Sequence, residues 1–356
     1  MTKHHLNNTQ PHAFWDNSLP ARVRVKSGDT VVFETLEASA GQITPSSNSS
    51  AVTALSFDPI HPLTGPVYIE GAEPGDGLEV IVVSIKHTGW GWNAVIPGFG
   101  ILGAEFSDPY LHHYKVTGNR CVFRDDIIIP YEPFCGVMGV GPAEGGRFNT
   151  IPPRRNGGNI DIRHLTPGSR VLFPVLVAGA LFSCGDCHSA QGDGEVNGTG
   201  IETPMTVTLR FRLLKNTSVP ELRFTTPPGK KLTVADDGGY FVTTAHGPDL
   251  FQNAQHAVRY MIDYLAAERN LTRAEAYCLC GAVLDLKISE IVDAPNYIVS
   301  AYLPLSIFAK KVARVATKAN IRTKAKLAAP KRKPVNKAKP TRKQKAVPKR
   351  KPTRRR

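Results

Sequence analysis

Between residue 12 and about residue 235 the chain is cut at short intervals by Pro, Gly and Asp, and the stretches between the cuts alternate. "RVRVKSGDTVVFETLE" (22–37) alternates, turns at Ser27–Gly28–Asp29 and then runs apolar. "GPVYIEGAEPGDGLEVIVVSIKHT" (65–88) repeats the plan around Pro74–Gly75–Asp76–Gly77, and "TPGSRVLFPVLVAGALFS" (166–183) does so again. "PMTVTLRFRLLKN" (204–216) is a further alternating stretch. Side chains on a strand point to opposite faces in turn, so alternation between turn residues predicts strands, here joined as hairpins. Many short strands between Gly and Pro turns are the texture of sandwiches and barrels. The fold class expected is mainly β.

The pattern changes after residue 245. "DLFQNAQHAVRYMIDYLAAE" (249–268) sets Val258, Met261, Ile262 and Leu265 at the spacing of one helix face. In "LTRAEAYCLCGAVLDL", Thr272 and Glu275 are placed as a capping box, so a second helix begins there. Cys278 and Cys280 lie inside it, on different faces, and read as core residues. "KISEIVDAPNYIVSAYLPLSIF" (287–308) returns to strand-like sequence.

Charge divides the chain sharply. Of 44 Lys+Arg, 21 lie in positions 310–356, where there is no Asp or Glu. Positions 1–309 keep 23 basic against 30 acidic residues and are mildly acidic. A stretch of Lys, Arg, Ala and Pro cannot bury enough surface to offset its ordering entropy, so 309–356 is expected to be disordered. Its composition is similar to linker-histone tails, and it would bind nucleic acid or other polyanions through released counterions, without reading sequence. Residues 1–11 are expected to be flexible. The first residues carry no apolar run, and the most apolar stretch, "VLFPVLVAGALF" (171–182), is too short to span a bilayer. Six cysteines without a visible export signal point to reduced thiols in the cytoplasm.

"FSCGDCHSAQGDGE" (182–195) contains a Cys-x-x-Cys-His run at Cys184, Cys187 and His188. That spelling attaches c-type haem, but haem attachment needs export and a helical bed, and here an apolar strand leads into a Gly-rich loop. A redox dithiol wants a helix after the pair, and a structural zinc site wants a second ligand pair. Neither is visible. Cys187 as a nucleophile beside His188 stays open. The polar residues say more: Asp186, His188, Gln191, Asp193 and Glu195 fall within ten residues, among glycines that let the backbone turn tightly. Imidazole with carboxylates suits zinc or a similar divalent ion, and a polar turn is the plainer alternative. "RRNGGNIDIRHLTPGS" (154–169) adds Asp161, a carboxylate in β-like sequence that a core tolerates only with a partner. "SFDPIHPLTGPVYIEGAEPGD" (56–76) adds His61 among prolines.

"DPIHPLTGPVYIEGAEPGD", "GGNIDIRHLTPGSRVLFPV", "ALFSCGDCHSAQGDGEVNGTGIE" and "DLKISEIVDAPNYIVSAYLP" together resemble the acetamidase/formamidase family of amide hydrolases. The resemblance runs from about His12 to Phe308, so 12–308 reads as one catalytic body. It implies a jelly-roll or sandwich-like β fold with added α/β elements near 249–285, a homo-oligomer, and a metal-dependent site. Carried onto the matching motifs, it implies Asp161, Asp186 and His188 as ligands of a divalent metal, most simply zinc, and Glu195 as the proton shuttle. His61 is a further catalytic candidate, and Trp90, Trp92 and Phe99 are candidate pocket walls. The implied reaction is hydrolysis of formamide or acetamide to carboxylate and ammonia. The competing class is a non-catalytic β-sandwich with a structural metal, held to polyanions by its tail.

Overall fold

The three turn-and-strand repeats form the strands their alternation predicts, but not the hairpins. The computed structural model describes residues 1–227, 231, 233, 235, 238–292 and 294–309, so the basic segment from 310 onward, expected to be disordered, lies outside the described residues. Six strands pair in the order Lys3–Leu6, Thr30–Glu34, Met205–Leu214, Gly77–His87, Arg170–Pro174 and Arg223–Thr225. Five pair in the order Gly157–Asn159, Phe134–Gly139, Phe182–His188, Leu63–Ile69 and Val23–Val25. Each repeat therefore starts in one sheet and ends in the other: Val23–Val25 to Thr30–Glu34, Leu63–Ile69 to Gly77–His87, and Arg170–Pro174 to Phe182–His188. Alternation dictates which face of a strand is apolar. It does not dictate the strand's neighbour, and these tight turns serve as corners between stacked sheets.

The two sheets share a core. Phe182, fully buried on the central strand of the five-stranded sheet, has its ring 6.1 Å from Phe33, 6.0 Å from Phe173 and 5.1 Å from Phe211, all three on the six-stranded sheet. Edge-to-face packing of this kind favours aromatic pairs beyond the area they bury. Residues 3–6, expected to be flexible, instead pair in parallel with Thr30–Glu34. Leu6 is buried there, and the Thr2 amide donates to Asp29 Oδ1 at 2.6 Å.

A second core lies beneath the two helices. Helix Leu250–Arg269, with Asp249 as its N-cap, buries Val258, Met261, Ile262 and Leu265 as the spacing predicts. Helix Arg273–Val283 starts at the Thr272–Glu275 capping box, and Cys278 and Cys280 are core residues. They pack with a four-stranded sheet (Trp90–Val95, Tyr110–Thr117, Arg120–Arg124, Ile127–Pro130) and a three-stranded one (Tyr240–Gly247, Tyr297–Pro304, Asp285–Glu290). Among the described residues no helix is long and apolar enough to cross a membrane.

Candidate active site

The Cys184–His188 run is the end of a buried strand, not part of a loop. On a regular strand Cys184, Asp186 and His188 would share a face. Asp186 breaks the alternation with a left-handed φ of 49°, so that Cys184 and Cys187 both join the sandwich core while Asp186 and His188 come together at the site. The Cys187 thiol sits 3.6 Å from Cys135 Sγ, and that neighbour together with burial raises it well above the usual thiol range. A thiol buried this way is a packing group, and Cys187 is absent from the pocket walls, which removes the nucleophile reading.

His188 is the centre of the cluster. Its Nε2 lies 3.1 Å from Glu202 Oε2 and 3.5 Å from Asp186 Oδ1. Its Nδ1 is 2.7 Å from Gln191 Oε1, and Gln191 Nε2 donates to the Asp161 carbonyl at 3.1 Å. That second bond turns the Gln191 oxygen toward the ring, so Nδ1 carries the proton and Nε2 faces the carboxylates. Asp161 Oδ1 stands 3.9 Å from Nδ1. His61, from the turn before strand Leu63–Ile69, brings Nε2 to 3.7 Å from Asp186 Oδ2. The structure thus gathers His61, Asp161, Asp186, His188 and Glu195, which lie up to 134 positions apart in the chain.

Glu202 closes the motif "ALFSCGDCHSAQGDGEVNGTGIE", but nothing in the motif assigns it a role. Its backbone bridges Trp92 on one side and His188 on the other, with its N–H donating to the Trp92 carbonyl at 2.7 Å. Its Oε1 accepts from the Gly200 amide at 2.8 Å, which leaves Oε2 for the cluster. The trace available in sequence is slight: Glu202 ends "GTGIE", a lone charge between Ile201 and Thr203. Gly136 is equally silent. A Cβ there would come within 2.6 Å of Asp161 Oδ1 and 2.8 Å of Asp186 Oδ2, so only glycine lets both carboxylates close over the strand.

Electrostatics at the cluster are those of crowded acids out of water. Burial, against the pull of His188 and aided by Glu202 and Asp186, raises Glu195 to about 8. Burial and Asp186, again opposed by His188, raise Glu202 to about 8. Burial and the Glu195 charge raise Asp161 well above the carboxylate range. Asp186 goes the other way: burial works against its charge, but His61 and His188 outweigh it and hold its carboxyl low. His188 is raised well above its ordinary value, because Glu202 and Asp186 overcome the cost of burying its charge. His61 is lowered by burial, with Asp186 opposing and the His188 charge adding to it.

The backbone is bent to make this cluster. Among the described residues nine non-glycine positions have a left-handed φ, and His61, Asp161, Asp186 and Glu195 are four of them. Such conformations cost about 1–3 kcal/mol each and persist where surrounding structure imposes them, often at functional sites. Above the cluster is a pocket whose lining includes His61, Asp186, Glu195 and Glu202, with Trp92 and Phe99 among its walls. Trp90 is not among them. Its indole nitrogen instead donates to His113 Nδ1 at 3.2 Å.

A mainly β body with acids and imidazoles buried together beneath an apolar pocket has the make-up of an enzyme active site. The chain belongs to the acetamidase/formamidase family of amide hydrolases, whose family model matches residues 1–147 and 143–310. It is 30% identical over 251 residues to an acetamidase of Mycolicibacterium smegmatis, a match covering 53% of this chain and 62% of that protein. It is 27% identical over 372 residues to a formamidase of Methylophilus methylotrophus, covering 84% of this chain and 89% of that one. Among solved structures, a gamma lactamase from Delftia acidovorans superposes with a TM-score of 0.79 at 26% identity, over 86% of this chain and 93% of that one. An acetamidase from Bacillus halodurans gives 0.60 at 33% identity, over 85% and 97%.

Proposed function

We propose that the protein hydrolyses a small linear amide to carboxylate and ammonia at the His188 cluster, with a divalent cation held there. One observation carries the cation reading. Asp161 Oδ1, Asp186 Oδ1, His188 Nε2 and Glu202 Oε2 are buried polar atoms without a hydrogen-bond partner. Asp161, Asp186 and His188 can bring ligand atoms within 4.8 Å of one another, and so can His188, Glu195 and Glu202. Unpaired buried polar atoms are costly, and one cation meets several at once. Oxygen donors with one imidazole nitrogen suit zinc among other divalent ions. Such an ion, when bound, supplies Lewis-acid polarisation and activates water.

The chain's own groups do the rest. Gln191 fixes the His188 ring at Nδ1 and leaves Nε2 facing Asp186 and Glu202. The Glu195 carboxyl stands on the pocket wall beside His188, and burial raises its proton affinity, which suits it to take a proton from the attacking water and pass it to the departing nitrogen. His61, lowered by burial, is a neutral polar group for orienting the amide. The carbonyl C–N bond breaks, a C–O bond to the water oxygen forms, and the nitrogen leaves protonated. The measurement is ammonia release by purified protein, with and without a chelator. Turnover abolished by chelator and restored by added zinc or another divalent ion is expected. Undiminished turnover in the metal-free protein would remove the cation from this reading.

The basic segment belongs to the same proposal as a polyanion-binding extension with no part in turnover, which its 21 Lys+Arg and lack of acids support. Truncation after Ala309 is expected to leave kcat/KM within about twofold and to abolish salt-sensitive retention on heparin or DNA. A folded, truncated protein that loses most of its turnover would contradict it.

A further inference from the structure

The acid cluster occupies only the floor of the pocket. Its walls are Leu55, Phe57, Ile60, Ile96, Phe99 and Ile151, side chains that neither hold a cation nor move a proton. The space inside that is open to the centre of a water molecule is about 60 Å³, room for roughly four to six waters. At ~30 Å³ per displaced water that is the bulk of a small amide of about seven to nine non-hydrogen atoms. Formamide has no acyl carbon beyond its carbonyl, and acetamide has a single methyl; neither carries the hydrocarbon to cover six apolar side chains.

The rim repeats the point. Phe57 is 43% and Phe99 38% exposed in a chain that buries most of its large apolar side chains. Leaving aromatic area in water forfeits roughly 25 cal/mol per Å² unless something covers it. Phe99 is also held in place. Gly198, three residues after Glu195 and with φ +87°, lies so close beneath the ring that a Cβ would come within 2.4 Å of it. The ring is thus seated on the backbone of the loop that carries Glu195.

We propose that this pocket is an acyl-group site for amides whose hydrocarbon chain is branched or aromatic, of about four to seven carbons, in preference to formamide or acetamide. The inference rests on the amidase reading above and names its substrate class. The acyl chain lies against Phe57, Ile60 and Phe99, and the carboxamide points down to Glu195 and Glu202. Hydrolysis breaks the C–N bond, adds the water oxygen to the acyl carbon, and releases ammonia and the free acid.

The experiment is a substrate series with the full-length protein: formamide, acetamide, butyramide, isovaleramide and benzamide, read as kcat/KM by ammonia release. Each methylene that becomes buried is worth about fourfold. Isovaleramide is therefore expected to exceed acetamide by about tenfold or more, with formamide lowest. In Phe99→Ala the isovaleramide-to-acetamide ratio is expected to fall at least about fivefold, whatever happens to the absolute rates. A flat series, or one that peaks at formamide, overturns the acyl-site inference while leaving the amidase standing. No hydrolysis of any amide overturns both, and is told apart because the two smallest amides are then inert as well.

Discussion

His188→Ala is expected to cut kcat by roughly 10²–10⁴ and to release the divalent metal proposed for this site. The imidazole is the only residue common to both ligand groupings, and its Nε2 faces Glu202 and Asp186 at 3.1 and 3.5 Å. Removing it leaves the carboxylates facing one another with no nitrogen between them. Some loss of stability must accompany this, because His188 is only 1% exposed and its ring packs edge-on against Phe134 at 5.1 Å. Deleting a buried ring costs a few kcal/mol, or several degrees in Tm, without abolishing cooperative unfolding. His188→Asn keeps a polar group in the space and separates the two effects. It should recover part of the stability and little of the turnover. Metal content by elemental analysis, Tm and ammonia release are read on both variants. A metal-free His188→Ala protein with full turnover would end the metallohydrolase mechanism.

Those expected losses differ from what a surface loop would give, and the difference comes from where the sequence is readable. Asp186, His188 and Glu195 are legible because they fall within ten residues, and Asp161 because a carboxylate in β-like sequence needs a partner. The helix Leu250–Arg269 is legible from one apolar face, and the capping box from two residues. What the pattern could not reveal is where strands go next. The turn at Ser27–Gly28–Asp29 has hairpin chemistry, yet Val23–Val25 and Thr30–Glu34 sit in different sheets. That choice depends on long-range packing around Phe182, which no local window contains.

Glu202 and Gly136 escaped for a related reason. Their roles exist only through contacts across the fold: Glu202 through a bridge to Trp92, 110 positions away, and Gly136 through carboxylates at 161 and 186. The left-handed Asp186 is a third case. Strict alternation would have placed Cys184 beside His188, and it is the break in alternation that sends both thiols into the core. Trp90 and Trp92 show the limit of counting side chains on one strand face. They are two residues apart on the same strand, but one binds His113 and the other reaches the pocket.

The second large effect is a contrast between two glutamates of nearly equal acidity. Glu195→Gln is expected to keep its metal while kcat falls by roughly 10²–10⁴ and KM moves little. Glu202→Gln is expected to lose metal and turnover together. Acidity cannot separate them, since burial raises both to about 8. Geometry can. Glu202 spends one oxygen on the Gly200 amide and holds the other, buried and unpaired, 3.1 Å from His188 Nε2. That is the posture of a fixed ligand. Glu195, with a left-handed φ of 42°, stands on the pocket wall that both glutamates line, and unlike Glu202 it has no fully buried, unpaired oxygen aimed at His188. A shuttle must give and take one proton, and an amide in its place keeps the shape without that capacity. Metal content and kinetics on the two variants in parallel decide the assignment. Metal lost from Glu195→Gln and retained in Glu202→Gln would exchange their roles, making Glu202 the shuttle and Glu195 the ligand.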